Sequence, residues 1–297
     1  MNFGRLATAM ITPFTPEGTI DWPRVSSMIE YLIQQGNDAI VVAGTTGESP
    51  TLTNEEKVEL YTYAVREAAG RVHVIAGTGG NNTEAAIQLT KQAEEAGVDG
   101  VMLVAPFYNK PSQEGLYQHF KKIAEATSLP VMLYNIPGRS AVNITVDTMV
   151  RLTEIDNIVA IKEASGDLVQ VTELAARKPE HVRIYSGNDE LLVPTMAVGG
   201  YGVVSVASHL ISPEMKKMME AFVAGDVTTA TQMHQRYLPL VKALFITSSP
   251  APLKYALSKR GVCEPTLRLP LVPPTEEEKK VIDKLVEELV PADRFVK

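Results

Sequence analysis

Lys162 is the residue whose type and setting most strongly imply chemistry, because it interrupts the apolar run Ile158-Val159-Ala160-Ile161 where a strand must stop. Taking a lysine out of water disfavours its charged form, and full burial lowers its pKa by up to about 3–5 units. The neutral amine that results attacks a carbonyl carbon and forms a Schiff base. A strand-end lysine can instead snorkel to solvent or pair with a neighbour such as Glu163, and for an arbitrary strand that is the commoner outcome. What favours chemistry here is the company Lys162 keeps. Other strand ends carry Gly44-Thr45-Thr46-Gly47-Glu48-Ser49, Phe107-Tyr108-Asn109-Lys110 and Tyr134-Asn135-Ile136-Pro137-Gly138-Arg139. With Lys162 as nucleophile, the Tyr134 hydroxyl is a candidate to pass protons during carbinolamine formation and dehydration, with Thr46 as relay. Thr45 and Thr46, flanked by glycines, let hydroxyls and backbone N–H groups approach a carboxylate closely. The guanidinium of Arg139 suits bidentate capture of a carboxylate. Taken singly, these are a turn threonine pair, a core tyrosine and a surface arginine; only their grouping with Lys162 argues for a site.

The elements that must position these residues are eight short β-rich runs: Leu6–Phe14, Ala39–Gly44, Val72–Gly77, Val101–Pro106, Val131–Ile136, Ile158–Ala164, Arg183–Gly187 and Gly202–Ala207. Each is mostly apolar on both faces, as buried parallel strands are. Helical signals lie between them, such as Thr53-Asn54-Glu55-Glu56 ahead of Val58, Leu60, Ala64 and Val65. The strand-end landmarks Thr46, Thr78, Pro106, Tyr134, Lys162 and Gly187 recur at intervals of 32, 28, 28, 28 and 25 residues, one βα unit per step. Eight such units predict an α/β fold, a closed (β/α)8 TIM barrel, whose active site lies at the C-terminal strand ends. Beyond the last run, helices are expected at Pro213–Ala224, Val227–Phe245, Pro252–Arg260 and Thr275–Leu289. The division expected is a barrel over 1–224 and a C-terminal helical extension over 225–297 that covers one side of the barrel or supplies an oligomer contact.

Composition narrows the function further. A net charge of −7 with no run of Lys or Arg argues against a nucleic-acid or anionic-membrane surface. No segment approaches the roughly 20 apolar residues of a membrane helix. Met1–Phe14 reads as a first strand and not as a secretory leader, because Pro13 stops it and no small-residue cleavage site follows. One cysteine, Cys263, and five scattered histidines offer neither an internal disulfide nor metal-site spacing, so a reducing cytoplasm and no metal are expected. Val159-Ala160-Ile161-Lys162 matches the ATP-site lysine motif of protein kinases without any of its companion motifs. Gly77-Thr78-Gly79-Gly80 lacks the final spaced glycine of a dinucleotide site, and Gly199-Gly200-Tyr201-Gly202 precedes its strand instead of following it. An unphosphorylated small molecule is the expected substrate.

Three segments, Gly44-Thr45-Thr46-Gly47-Glu48, Tyr134-Asn135-Ile136-Pro137-Gly138-Arg139 and Ile161-Lys162-Glu163-Ala164-Ser165-Gly166-Asp167, resemble in order and spacing the dihydrodipicolinate synthase family. The likeness spans essentially the whole chain and includes Tyr108-Asn109-Lys110-Pro111, Ser186-Gly187-Asn188-Asp189 and Gly202-Val203-Val204-Ser205. It implies condensation of pyruvate with L-aspartate-4-semialdehyde in lysine and diaminopimelate biosynthesis, with no cofactor beyond the imine on Lys162. It further implies Tyr134 as proton donor and acceptor, and Thr46 as both a relay and a ligand of the pyruvate carboxylate. Thr45 would link Tyr134 to Tyr108, which in the family reaches across a subunit interface, so that a dimer, and a homotetramer built from dimers, is expected. Gly187 and Val204 would line the pyruvate pocket through their backbone, and Arg139 would bind the semialdehyde carboxylate. Related Schiff-base lyases acting on N-acetylneuraminate or keto-deoxy sugar acids share the lysine and tyrosine, and Arg139 together with Thr45-Thr46 argues against them. A ligand-binding barrel without catalysis is the alternative of another class. Where lysine-inhibited members carry two histidines, a glutamate and a first tyrosine, this chain has Asn54, Lys57, Ala85 and Phe107, while Ser49, Asn81 and Glu84 remain; feedback inhibition by L-lysine is expected to be weak or absent.

Overall fold

The computed structural model describes residues 3–295. Its strands are β1 (Leu6–Ala9), β2 (Ala39–Val42), β3 (His73–Gly77), β4 (Gly100–Val104), β5 (Val131–Asn135), β6 (Ile158–Glu163), β7 (Arg183–Ser186) and β8 (Gly202–Ser205). All pair in parallel in sequence order, and β8 closes on β1 through Leu6↔Val203 and Ala7↔Val204. The helices are α1 (Trp22–Gln34), α2 (Asn54–Ala68), α3 (Thr83–Glu95), α4 (Gln113–Ala124), α5 (Pro137–Ser140), α6 (Val146–Leu152), α7 (Leu168–Arg177), α8 (Leu192–Ala197), α9 (Ser208–Val223), α10 (Val227–Ala243), α11 (Ala251–Lys259) and α12 (Glu276–Leu289). The fold is the (β/α)8 barrel that the strand-end spacing predicts. Among the described residues, no helix is long and apolar enough to cross a membrane.

Period-two alternation along the strands builds two core layers. Ala7, Val41, Ile75, Met102, Met132, Tyr134, Ala160 and Val204 fill the barrel interior. Leu6, Ile40, Leu103, Leu133, Ile161 and Val203 face outward against helix residues such as Val25, Leu60 and Phe120. Burial on both faces is why the strands read as continuous apolar runs. The helix starts are set locally: Thr53 and Glu56 form a reciprocal capping box on α2, and Ser112 caps α4.

Two boundaries differ from expectation. The first strand stops at Ala9 instead of running to Phe14, which returns only as an isolated bridge to Ile20; Pro13, lacking an N–H, cannot extend the ladder. The helix expected from Pro213 starts at Ser208 and kinks at Ile211 (φ −133°, ψ 34°), two residues before the proline that has no N–H for the preceding turn.

A register irregularity in β6 matters more for the site. Val131 pairs with Ile158 but Met132 pairs with Ala160, leaving Val159 as an extra residue. The shift brings Tyr134 of β5 level with Lys162, and Lys162 level with Tyr185 of β7. Parallel partners in register point to the same face, so Lys162 shares the barrel interior with Tyr134.

At the β8–β1 closure, a Cβ on Gly202 would lie 2.1 Å from the Arg5 carbonyl oxygen, which accepts the Val203 N–H at 2.8 Å. Gly202→Ala should therefore destabilise the fold by about 1–3 kcal/mol, the usual cost of overpacking. Urea denaturation should show a lowered midpoint at unchanged slope; a wild-type midpoint would contradict the close approach.

Candidate active site

Lys162 is 5% exposed, and its amine lies 4.0 Å from the centre of the Tyr134 ring. Burial lowers its pKa to about 7; the Asp189 carboxylate opposes the shift and the Arg139 guanidinium reinforces it. Glu163 is not its partner. That carboxylate accepts from Asn135 (2.9 Å), Gln170 (3.1 Å) and the Ser165 amide (2.6 Å), on the other face of the strand. Lys162 neither snorkels nor forms the neighbouring ion pair, which leaves a buried amine with a large uncharged fraction near pH 7.

Tyr134 is 3% exposed, and burial pushes its hydroxyl up to about 12, partly offset by Arg139 and by a hydrogen bond with Thr45. It therefore keeps its proton at neutral pH and can give it up only to a strong local base. A cavity of about 360 Å³ opens above it, lined by Thr45, Ser49, Lys57, Phe107, Tyr134 and Arg139 among others. The wall thus joins the cations of Lys57 and Arg139, the hydroxyls of Thr45, Ser49 and Tyr134, and apolar surface, a lining suited to small anionic molecules. Among the described residues, no group of three or more His, Cys, Asp or Glu side chains is placed to hold a metal ion.

The other candidates fall into place unevenly. A Cβ on Gly187 would meet Ala164 Cβ at 2.6 Å and Lys162 Cε at 3.0 Å, so the glycine lets β7 close on the lysine stem. Val204 belongs to the same inner core as Tyr134, and Thr46 is buried beside Thr45. Of the candidates, Thr45, Tyr134 and Arg139 line the cavity, whereas Lys162, Thr46 and Val204 are buried in the barrel with Gly187 packed on the lysine stem, none of them on that wall. Tyr108 belongs to neither group, being 90% exposed with φ +74°. The glycines Gly77 and Gly79 are explained by packing, since added Cβ atoms would meet Ala43 O at 2.6 Å and Val104 N at 2.3 Å. Three buried charged side chains, Asp189, Glu48 and Lys254, have partners that the residue order does not reveal. Asp189, fully buried, acts electrostatically on Lys162 while its Oδ2 accepts from the Val206 and Ala207 amides at 2.9 and 2.8 Å. Its place in Ser186-Gly187-Asn188-Asp189, just past β7, is the only signal that pointed to it. Glu48 and Lys254 form an ion pair at 2.5 Å with both side chains fully buried; nothing local marks a lysine in an amphipathic helix as the partner of a distant loop.

The family model described as "Dihydrodipicolinate synthetase family" matches residues 2–289. The chain belongs to that family. It is 55% identical over 290 residues to the 4-hydroxy-tetrahydrodipicolinate synthase of Bacillus subtilis, covering 97% of this chain and 100% of that one. The solved dihydrodipicolinate synthase of Bacillus anthracis superposes with a TM-score of 0.95 at 55% identity, over 98% of this chain and 99% of that one. A chloride-inhibited dihydrodipicolinate synthase from Acinetobacter baumannii, complexed with pyruvate, superposes with a TM-score of 0.94 at 39% identity, over 97% and 99% of the two chains.

The state of Lys162 predicts a pH dependence for this dihydrodipicolinate synthetase family member. Only the neutral amine attacks a carbonyl, so trapping of a keto acid by borohydride should accelerate as pH rises through about 7 and then level off. An inflection near the ordinary lysine value of about 10.4 would contradict the burial argument.

Proposed function

We propose that this chain condenses pyruvate with L-aspartate-4-semialdehyde, through an imine on Lys162, to give 4-hydroxy-tetrahydrodipicolinate. The observation that carries the proposal is the buried, partly uncharged Lys162 amine against the Tyr134 ring, below a cavity whose wall includes Arg139. The neutral amine attacks the keto carbon of pyruvate. Tyr134 supplies the proton with which the carbinolamine hydroxyl leaves as water, and Thr45, hydrogen-bonded to it, connects that hydroxyl to the relay. The iminium then withdraws electrons so that the methyl carbon loses a proton to the Tyr134 oxygen, and the enamine carbon bonds to the aldehyde carbon, whose oxygen takes a proton. The amino group of the second substrate attacks the imine carbon, closing the ring and releasing the Lys162 amine. The lysine supplies this electron sink itself, so no cofactor is assigned.

Thr46 is proposed to relay protons and hold the pyruvate carboxylate, with Gly187 and Val204 as the backbone lining of that pocket. Arg139 is proposed to take the carboxylate of the semialdehyde at the cavity wall. Tyr108, held outward with positive φ, fits a residue that completes a partner's site, which supports a dimer and a homotetramer built from dimers. The catalytic unit is assigned to 1–224 and the helices of 225–297 to a supporting extension, in a protein working in the cytoplasm. Arg139 on the cavity wall and the 55% identity to the 4-hydroxy-tetrahydrodipicolinate synthase of Bacillus subtilis favour this reaction over cleavage of N-acetylneuraminate. Lys57 stands on the cavity wall without an acidic partner among the described residues, which disfavours an incoming lysine ammonium.

Two variants test the proposal. Lys162→Ala should abolish both the borohydride-trapped pyruvate adduct and condensation; activity near wild type would refute it. Arg139→Ala removes a charge-assisted contact worth about 1.5–3 kcal/mol, about 10- to 150-fold in use of the semialdehyde, while pyruvate trapping, measured at a pH high enough for Lys162 to be uncharged in both proteins, stays near wild type. An equal loss for both substrates would argue against the assignment. L-Lysine should leave condensation uninhibited at low-millimolar concentration, and an inhibition constant in or below that range would overturn the role of Lys57.

A further inference from the structure

Glu48 sits at the end of the turn that carries Thr45 and Thr46, in the left-handed region at φ 57°, which a non-glycine residue adopts only when its surroundings hold it there. What holds it comes from far along the chain. Its Oε1 is 2.5 Å from Lys254 Nζ on α11, and its Oε2 accepts the Arg268 N–H at 3.0 Å. The Lys254 amine also donates to the Thr266 carbonyl at 2.9 Å and lies 4.1 Å from the centre of the Phe14 ring. Arg268 in turn binds both oxygens of Glu56 (2.6 and 2.7 Å) and the Thr51 carbonyl (2.8 Å), tying the C-terminal segment to the start of α2.

A fully buried ion pair is a weak source of stability, because desolvating both charges offsets most of their attraction and an apolar pair often does as well. Its geometric effect here is direct. The Glu48 N–H donates to the Thr45 carbonyl at 3.1 Å, Gly47 and Ser49 both donate to the Gly44 carbonyl, and the Thr12 hydroxyl donates to the Gly47 carbonyl at 2.7 Å. A shift of Glu48 is thereby transmitted to Thr45, which lines the cavity together with Tyr134 and interacts with its hydroxyl. We infer that Lys254 and Glu48 are positioning residues: their buried ion pair fixes the turn that presents the Thr45 hydroxyl to Tyr134, and so sets the rate of imine formation on Lys162. The inference rests on the imine chemistry proposed above.

The test measures the rate of pyruvate imine formation by rapid borohydride quench, which does not depend on the second substrate. Variants Lys254→Met, Glu48→Gln and Thr45→Val are compared singly, and each of the first two is combined with Thr45→Val, with thermal melts confirming that each is folded. Each single variant should slow the step about 10- to 100-fold, the effect of a small misplacement. Adding Lys254→Met or Glu48→Gln to Thr45→Val should slow it by less than about 2-fold more, because the contact they serve is already gone. Multiplying effects, or wild-type rates in folded single variants, would overturn the inference. Should Lys254→Met fail to fold, the cycle with Glu48→Gln, which keeps the side chain's shape and an acceptor for the Arg268 amide, decides the matter alone. A wild-type protein that forms no adduct overturns the imine chemistry itself, whereas a wild-type adduct with unaffected variants overturns only the positioning role.

Discussion

The removal of one ammonium group from water is the constraint on which this molecule's site depends. A charged amine in an apolar interior is expensive unless paired, and among the described residues Glu163, the neighbouring carboxylate, is engaged elsewhere while Asp189 acts on Lys162 only electrostatically. Its environment instead favours the uncharged form: the inner barrel layer excludes water, Arg139 adds a like charge, and Asp189 restores only part of the loss. Glu163, the nearest carboxylate in sequence, is turned to the opposite strand face and occupied by Asn135, Gln170 and the Ser165 amide. That alternation keeps a potential counter-ion away from the amine without removing it from the strand.

The same low-polarity interior shapes the tyrosine. Burial drives Lys162 toward losing its proton and Tyr134 toward keeping it, so the two groups meet as a neutral base beside a protonated acid. This is the state in which an amine can add to a carbonyl and an acid can help expel hydroxide. The hydroxyl of Thr45 and the guanidinium of Arg139 moderate Tyr134 from the cavity side. Thus a single physical effect, desolvation, prepares both partners, and the turn held by Glu48 presents the Thr45 hydroxyl to Tyr134.

Much of this was legible in the residue order. Parallel strands buried on both faces leave unbroken apolar runs, and the regular interval from Thr46 to Gly187 reports the βα repeat, so barrel and catalytic rim emerge together. Lys162, Tyr134 and Arg139 stand out because polar groups rarely end such runs without a reason. The rest depends on contacts that local pattern does not carry. The extra residue at Val159 changes which side chains are level across β5 and β6, yet no composition signal marks it. Lys254 lies in a helix whose sequence reads as a covering element; only the closed fold shows that its amine reaches Glu48. Asp189 follows the motif just past β7, but its electrostatic link to Lys162 requires the ring of strands to close. The outward placement of Tyr108 likewise comes from a positive φ that the surrounding Phe107-Tyr108-Asn109-Lys110 does not announce.

The most direct measurement is the electron density at Lys162 in crystals grown with pyruvate. Continuous density from Nζ into the keto carbon, with the Tyr134 hydroxyl beside the new bond, is the predicted result. A free amine with pyruvate absent from the barrel mouth, or held there without a covalent link at a pH above 7, would contradict it.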